Sequence, residues 1–162
     1  MAGLINKVQT QRFHNQTLGQ IASQIEVKIP PAGKAQFLAI ENSGMQIMFS
    51  TETKHLIKKY VDPNNLVPSI SNSIAMLLAF IYKQSNKKMN ITMATPAGIV
   101  LMAHALDYEE SVGDITLNPQ VIAQCVHETT TACLKAFGIG PQQINQAVAQ
   151  GKAAQAKQGV QA

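Results

Sequence analysis

From Ile74 to Tyr82 the chain reads Ile-Ala-Met-Leu-Leu-Ala-Phe-Ile-Tyr, with no charged or amide side chain among the nine. Preceded by Ser69-Ile70-Ser71-Asn72-Ser73, this run predicts a central helix over about residues 69–85. A helix that is apolar on every side has to be covered on every side, so the rest of the chain is expected to wrap around it. The apolar run is about half the roughly 20 residues that a membrane span requires, so the spacing favours a buried core helix over a span. A chain of 162 residues is long enough to build one core of this kind without staples.

Around this helix the sequence predicts an α+β fold. Leu4, Ile5 and Val8 have helical spacing, as do Leu18, Ile21, Ala22 and Ile25, which suggests a polar, Gln-rich helical arm over residues 1–24. Ile25-Glu26-Val27-Lys28-Ile29 then alternates apolar and polar. Gln36 to Glu41 is mostly apolar, and Met45 to Ser50 alternates again. Pro30-Pro31-Ala32-Gly33-Lys34 and Asn42-Ser43-Gly44 supply turn chemistry between them. Together these read as a three-stranded antiparallel meander over about residues 25–50. A competing reading makes Ala32–Glu41 a helix closed by Gly44.

Thr51 or Thr53 can cap a short basic helix, Glu52–Tyr60, which Asp62-Pro63 ends. Met89 to Met93 reads as a short apolar link. Thr95-Pro96 and Asn118-Pro119 both have the form of an N-cap followed by Pro at the first helical position, and open helices over Ala97–Glu110 and Gln120–Phe137. Gly138 is the expected left-handed cap of the second. The globular α+β domain thus spans 25–140, and residues 141–162 form an Ala/Gln-rich C-terminal helix or disordered tail.

Charged residues are only 14% of the chain, with Gln, Asn, Ser and Thr filling the gap, and the formal net charge is +4. A polar but weakly charged surface suits a protein that works against partners. The absence of Trp leaves few stacking platforms for single-stranded nucleic acid. Met1 to Phe13 has neither the apolar core nor the cleavage site of a signal peptide, so the chain is expected to be soluble and intracellular. Cys125 and Cys133 lie too far apart on one helix to bridge and read as buried free thiols.

Motifs for catalysis, nucleotides or metals are missing. The sequence contains no G-x-S-x-G, no P-loop and no strand-borne G-x-G-x-x-G. His104 has Asp107 three residues on, the spacing of a His–carboxylate pair that could act as a base; the plainer reading is a locally bonded histidine at the core edge. His14 and His55 have no visible partner. Cys125, Cys133, His104 and His127 match no standard zinc spacing, so no metal or other cofactor is expected.

Two charge clusters remain. Lys54, Lys58, Lys59, Lys83, Lys87 and Lys88 form a candidate basic patch able to meet phosphates. Asp107, Glu109, Glu110 and Asp114 form a candidate acidic patch at a helix C-terminus, where negative charge opposes the macrodipole. Segregated patches on a weakly charged chain suit head-to-tail contact between copies. The polar tail and low charge resemble the composition of small phage virion and assembly proteins. That likeness implies a non-enzymatic structural or assembly subunit, of a virion or a DNA-packaging apparatus, with a protein partner or its own copies. The alternative is a small nucleic-acid-binding protein using the lysines.

Overall fold

Asn15 begins the first helix of the described residues. Its extended backbone places the side-chain oxygen where it accepts from the Leu18 amide, satisfying one of the four amides a helix start leaves open. In the computed structural model of the chain, which describes residues 13–50 and 61–138, this helix is α1, Gln16–Lys28. Pro30 and Pro31 stop it, and a 3-10 turn, Pro31–Gly33, leads into α2, Lys34–Phe49. Asp62-Pro63 opens a second 3-10 turn, Pro63–Asn65, ahead of α3, Leu66–Gln84. Then come α4, Ile91–Ser111, and α5, Pro119–Ala136.

The architecture is a helical bundle, and the β-meander is overturned: residues 25–50 lie in α1, a 3-10 turn and α2, with no strand among the described residues. The reason lies in what short alternation can prove. In Ile25-Glu26-Val27-Lys28-Ile29 the two outer isoleucines are four apart, so they share a helix face as readily as a strand face. Val27 is the residue that separates the two, and it is 79% exposed. In α2 the buried residues are Phe37, Ile40, Glu41, Gly44 and Met48, a helical period and not one of two. The competing helix over Ala32–Glu41 comes nearer, but α2 runs past Gly44 to Phe49. Gly44 serves packing: a Cβ there would overlap the side chain of Leu101.

The enclosed element is also not the expected one. On α3 the buried residues are Ile70, Ser71, Ile74, Ala75, Leu78 and Ile81, while Met76 is 62% and Phe80 48% exposed. The helix wrapped by the others is α4, which packs against α1, α2, α3 and α5. Its Ala94, Ala97, Val100, Leu101, Met102, Ala103 and Leu106 have no measurable exposure. Small residues make this possible. A Cβ on Gly98 would fall 2.8 Å from Leu78 Cδ1 and 3.2 Å from Cys133 Sγ, so α3 and α5 close on α4 at a point where only glycine leaves room.

Of the two predicted starts, Asn118-Pro119 stands: Asn118 accepts from the Val121 amide and Pro119 is the first helical residue. Gly138 has the left-handed φ of +81°. Thr95-Pro96 does not begin its helix. Asn90 caps α4 through the Thr92 amide, and Pro96 lies inside it. Met89–Met93 is therefore a turn and the first helical residues, not a separate link. The expected helices at residues 4–8, 52–60 and 141–148 lie outside the described residues. α1 passes through the 24/25 boundary expected of the N-terminal arm and packs on α4.

Candidate functional site

Two places carry more than packing. The first is the outer face of α3. No charged residue occurs from Pro63 to Tyr82, and the exposed residues Asn72, Met76 and Phe80 succeed one another at intervals of four, forming one line along the helix. Beside this line runs an apolar groove of about 270 Å³ whose walls include Ile47, Val61, Ile70, Met76, Leu77 and Phe80. Of the three exposed residues two are large and apolar, Met76 and Phe80, and both also line the groove. By length and composition Pro63–Gln84 is also apolar enough to cross a membrane; its buried line of Ile70, Ile74, Leu78 and Ile81 is that of a helix packed in a bundle.

The second place is the junction of α1 with α4. Asp107 is buried, and its carboxylate accepts from the backbone amides of His14 (3.1 Å) and Asn15 (2.7 Å). The His14 ring lies 3.4 Å from the same group. Glu110 accepts from the Asn15 side chain through one oxygen and from the Leu117 amide through the other. One carboxylate thereby ties the cap of α1 to the loop before α5. The Phe13 ring stacks on His104 with centroids 4.4 Å apart. His104 Nε2 faces Glu41 Oε1 of α2 at 3.8 Å.

These contacts redistribute the expected site residues. His104 and Asp107 do not pair with each other: one turns to Glu41 and Phe13, the other to the start of α1. Of the acidic residues, Asp107 and Glu109 are buried, Glu110 is half-buried, and Asp114 alone of the four is exposed. Lys83, Lys87 and Lys88 are exposed around a turn after α3, where Asn86 (φ 55°) and Lys87 (φ 63°) take the left-handed conformation. Lys54, Lys58, Lys59 and His55 lie outside the described residues. Among the described residues no group of three or more His, Cys, Asp or Glu could hold a metal ion. His127 is exposed on α5. Cys125 and Cys133 are buried free thiols, and burial pushes them up to about 11 and about 12 respectively.

No family model matches the chain, and no curated protein or solved structure resembles it significantly. The functional reading therefore rests on its own residues.

Sequence reasoning missed Phe13, Asn15 and Glu41. A signal existed for Asn15, since an Asn just ahead of Leu18, Ile21, Ala22 and Ile25 is a cap candidate. For Glu41 the signal was a lone acid in a mostly apolar segment. Its partner lies 63 residues away on another helix, and no local pattern names it.

Proposed function

We propose that the chain is a non-enzymatic structural or assembly subunit that binds a protein surface along the outer face of α3. The observation that carries this reading is the uncharged line of Asn72, Met76 and Phe80 beside the apolar groove. Water-facing helix positions normally carry charge, and here the sequence avoids it for the whole length of α3 before Lys83. Composition supports a virus particle or its DNA-packaging apparatus as the setting. Binding is expected to be mainly apolar, since three of the four candidate acidic residues are buried or half-buried, and Asp107 and Glu110 bond within the chain's own fold.

The test is light scattering behind a sizing column, comparing the natural chain with a Met76→Glu/Phe80→Glu variant, alone and with components of its native source. Loss of assembly in a variant of unchanged helicity supports the reading. A natural chain that stays monomeric and captures nothing counts against it.

A second reading, nucleic-acid binding, is favoured by Lys83, Lys87 and Lys88, which are all exposed at one turn close in sequence to the start of α4. Helix starts favour anions, and the first turn of α4 carries no acid. Such binding would weaken steeply with added salt. A mobility shift at low salt that disappears in a Lys83→Gln/Lys87→Gln/Lys88→Gln variant would support this reading, and no shift at any salt would remove it.

A further inference from the structure

We propose that the occupant of the α3 face is a second copy of this chain, paired with it in a symmetric dimer whose two α3 helices run antiparallel. The inference rests on the reading of that face as a contact surface and names its partner. The face holds both halves of a fit: Met76, 62% exposed, and Phe80, 48% exposed, stand out from the helix, and the apolar groove lies beside them. A surface that carries its own knob and its own hole can meet itself, each copy filling the groove of the other.

Charge decides both the partner and the direction. The chain has a formal net charge of +4, so two copies approach most easily where charge is absent, and no charged residue occurs from Pro63 to Tyr82. Lys83, seven residues beyond Met76, continues the exposed line of the helix. Parallel helices would set the two copies of Lys83 side by side. Antiparallel helices crossing at Met76 hold them about 21 Å apart along the axis, beyond a screening length of about 8 Å. The same direction brings the exposed basic turn of each copy, with Lys87 and Lys88, toward the exposed Asp62 that precedes α3 in the other. It also places Phe80 of one copy at the level of Asn72 and Ser73 of the other, where Val61 and Ile70 wall the groove. α3 has 19 residues, and a face about 28 Å long by about 10 Å wide falls short of the roughly 800 Å² per partner of a standard interface, so the dimer is a weak one.

Sedimentation equilibrium of the full chain, alone, tests it. The average mass should rise from one chain toward two as concentration climbs from about micromolar to about millimolar, and Phe80→Glu should weaken the association about tenfold or more at unchanged helicity. Because Cys125 and Cys133 are buried, a cysteine introduced at the surface is the reactive thiol under mild oxidation. Met76→Cys should then link into a covalent dimer about tenfold faster than Lys83→Cys, or than Ala123→Cys on the exposed side of α5. A chain monomeric at every concentration, a dimer indifferent to Phe80→Glu, or Lys83→Cys linking as fast as Met76→Cys would each overturn the antiparallel dimer. If the lone chain stays monomeric while Met76→Glu/Phe80→Glu still abolishes assembly with native components, the contact face stands and the second copy is removed as its occupant.

Discussion

Asp107 illustrates how much a single side chain does in a chain with few charges. It is buried and holds two backbone amides at the entry to α1. Asp107→Ala leaves those donors without their acceptor and should lower stability by about 2–3 kcal/mol in urea unfolding. Asn15→Ala removes the cap of the same helix and its link to Glu110, and should cost about 1 kcal/mol or more. The thiols make a prediction of opposite chemistry. In the folded chain Cys125 and Cys133 stay protonated to about pH 11 and 12, against an ordinary 9.0. The unfolded chain therefore ionises first. The contribution of each thiol to stability is complete below pH 9 and is lost as pH rises through 11 and 12. By pH 10 the loss should be about 1 kcal/mol per thiol. The check is a urea series at pH 8.5 and 10, in which a Cys125→Ala/Cys133→Ala chain shows a correspondingly smaller decline. Identity alone identified the cysteines as buried thiols, because their spacing on one helix forbids a bridge. It did not assign Asp107, because its partners come from residues 14 and 15 and the nearer His104 looked more natural.

At the scale of elements, a long apolar run and an Asn-Pro start were legible, as α3 and the start of α5 show, while short alternations and the Thr95-Pro96 start were not. Asn118-Pro119 and Gly138 mark the ends of α5 by backbone chemistry that works locally. The alternation in residues 25–29 and 45–50 spans too few residues to separate a period of 2 from one of 3.6. Burial of α4 was hidden for another reason: its alanines and Gly98 let four helices approach it, and which helices do so is set by the packing and not by the local sequence. The apolar run of α3 draws more attention and is only half covered. The sensitive position on α3 is therefore Leu78 and not its neighbour Leu77. Leu78 has no exposure and Leu77 is half-buried at the groove, so Leu78→Asn should cost about 3–5 kcal/mol and Leu77→Asn distinctly less. Gly44→Ala puts a methyl group where Leu101 already sits. The overpacking should exceed the gain in helix propensity and leave a net loss of about 1–2 kcal/mol, seen as a lower thermal midpoint.

For the whole molecule, the proposal of a subunit made for contact rests on a different physical basis from the charged patches expected from sequence. The head-to-tail pairing of charged patches finds little acid at the surface, because Asp107 and Glu110 hold the fold together. The proposed contact face is instead the outer side of α3, which was not legible because the same residues looked like core. Nothing in the order of residues says which side of an apolar helix lacks a neighbour; only the packing of α4, α5 and α2 around it does. The most direct test of this account is the mass in solution, by light scattering behind a sizing column, of the natural chain and of Met76→Glu/Phe80→Glu in the presence of its native components. The account predicts an assembled species for the natural chain and a folded, unassembled one for the variant. Identical assembly by both chains, or none by the natural chain, would contradict it.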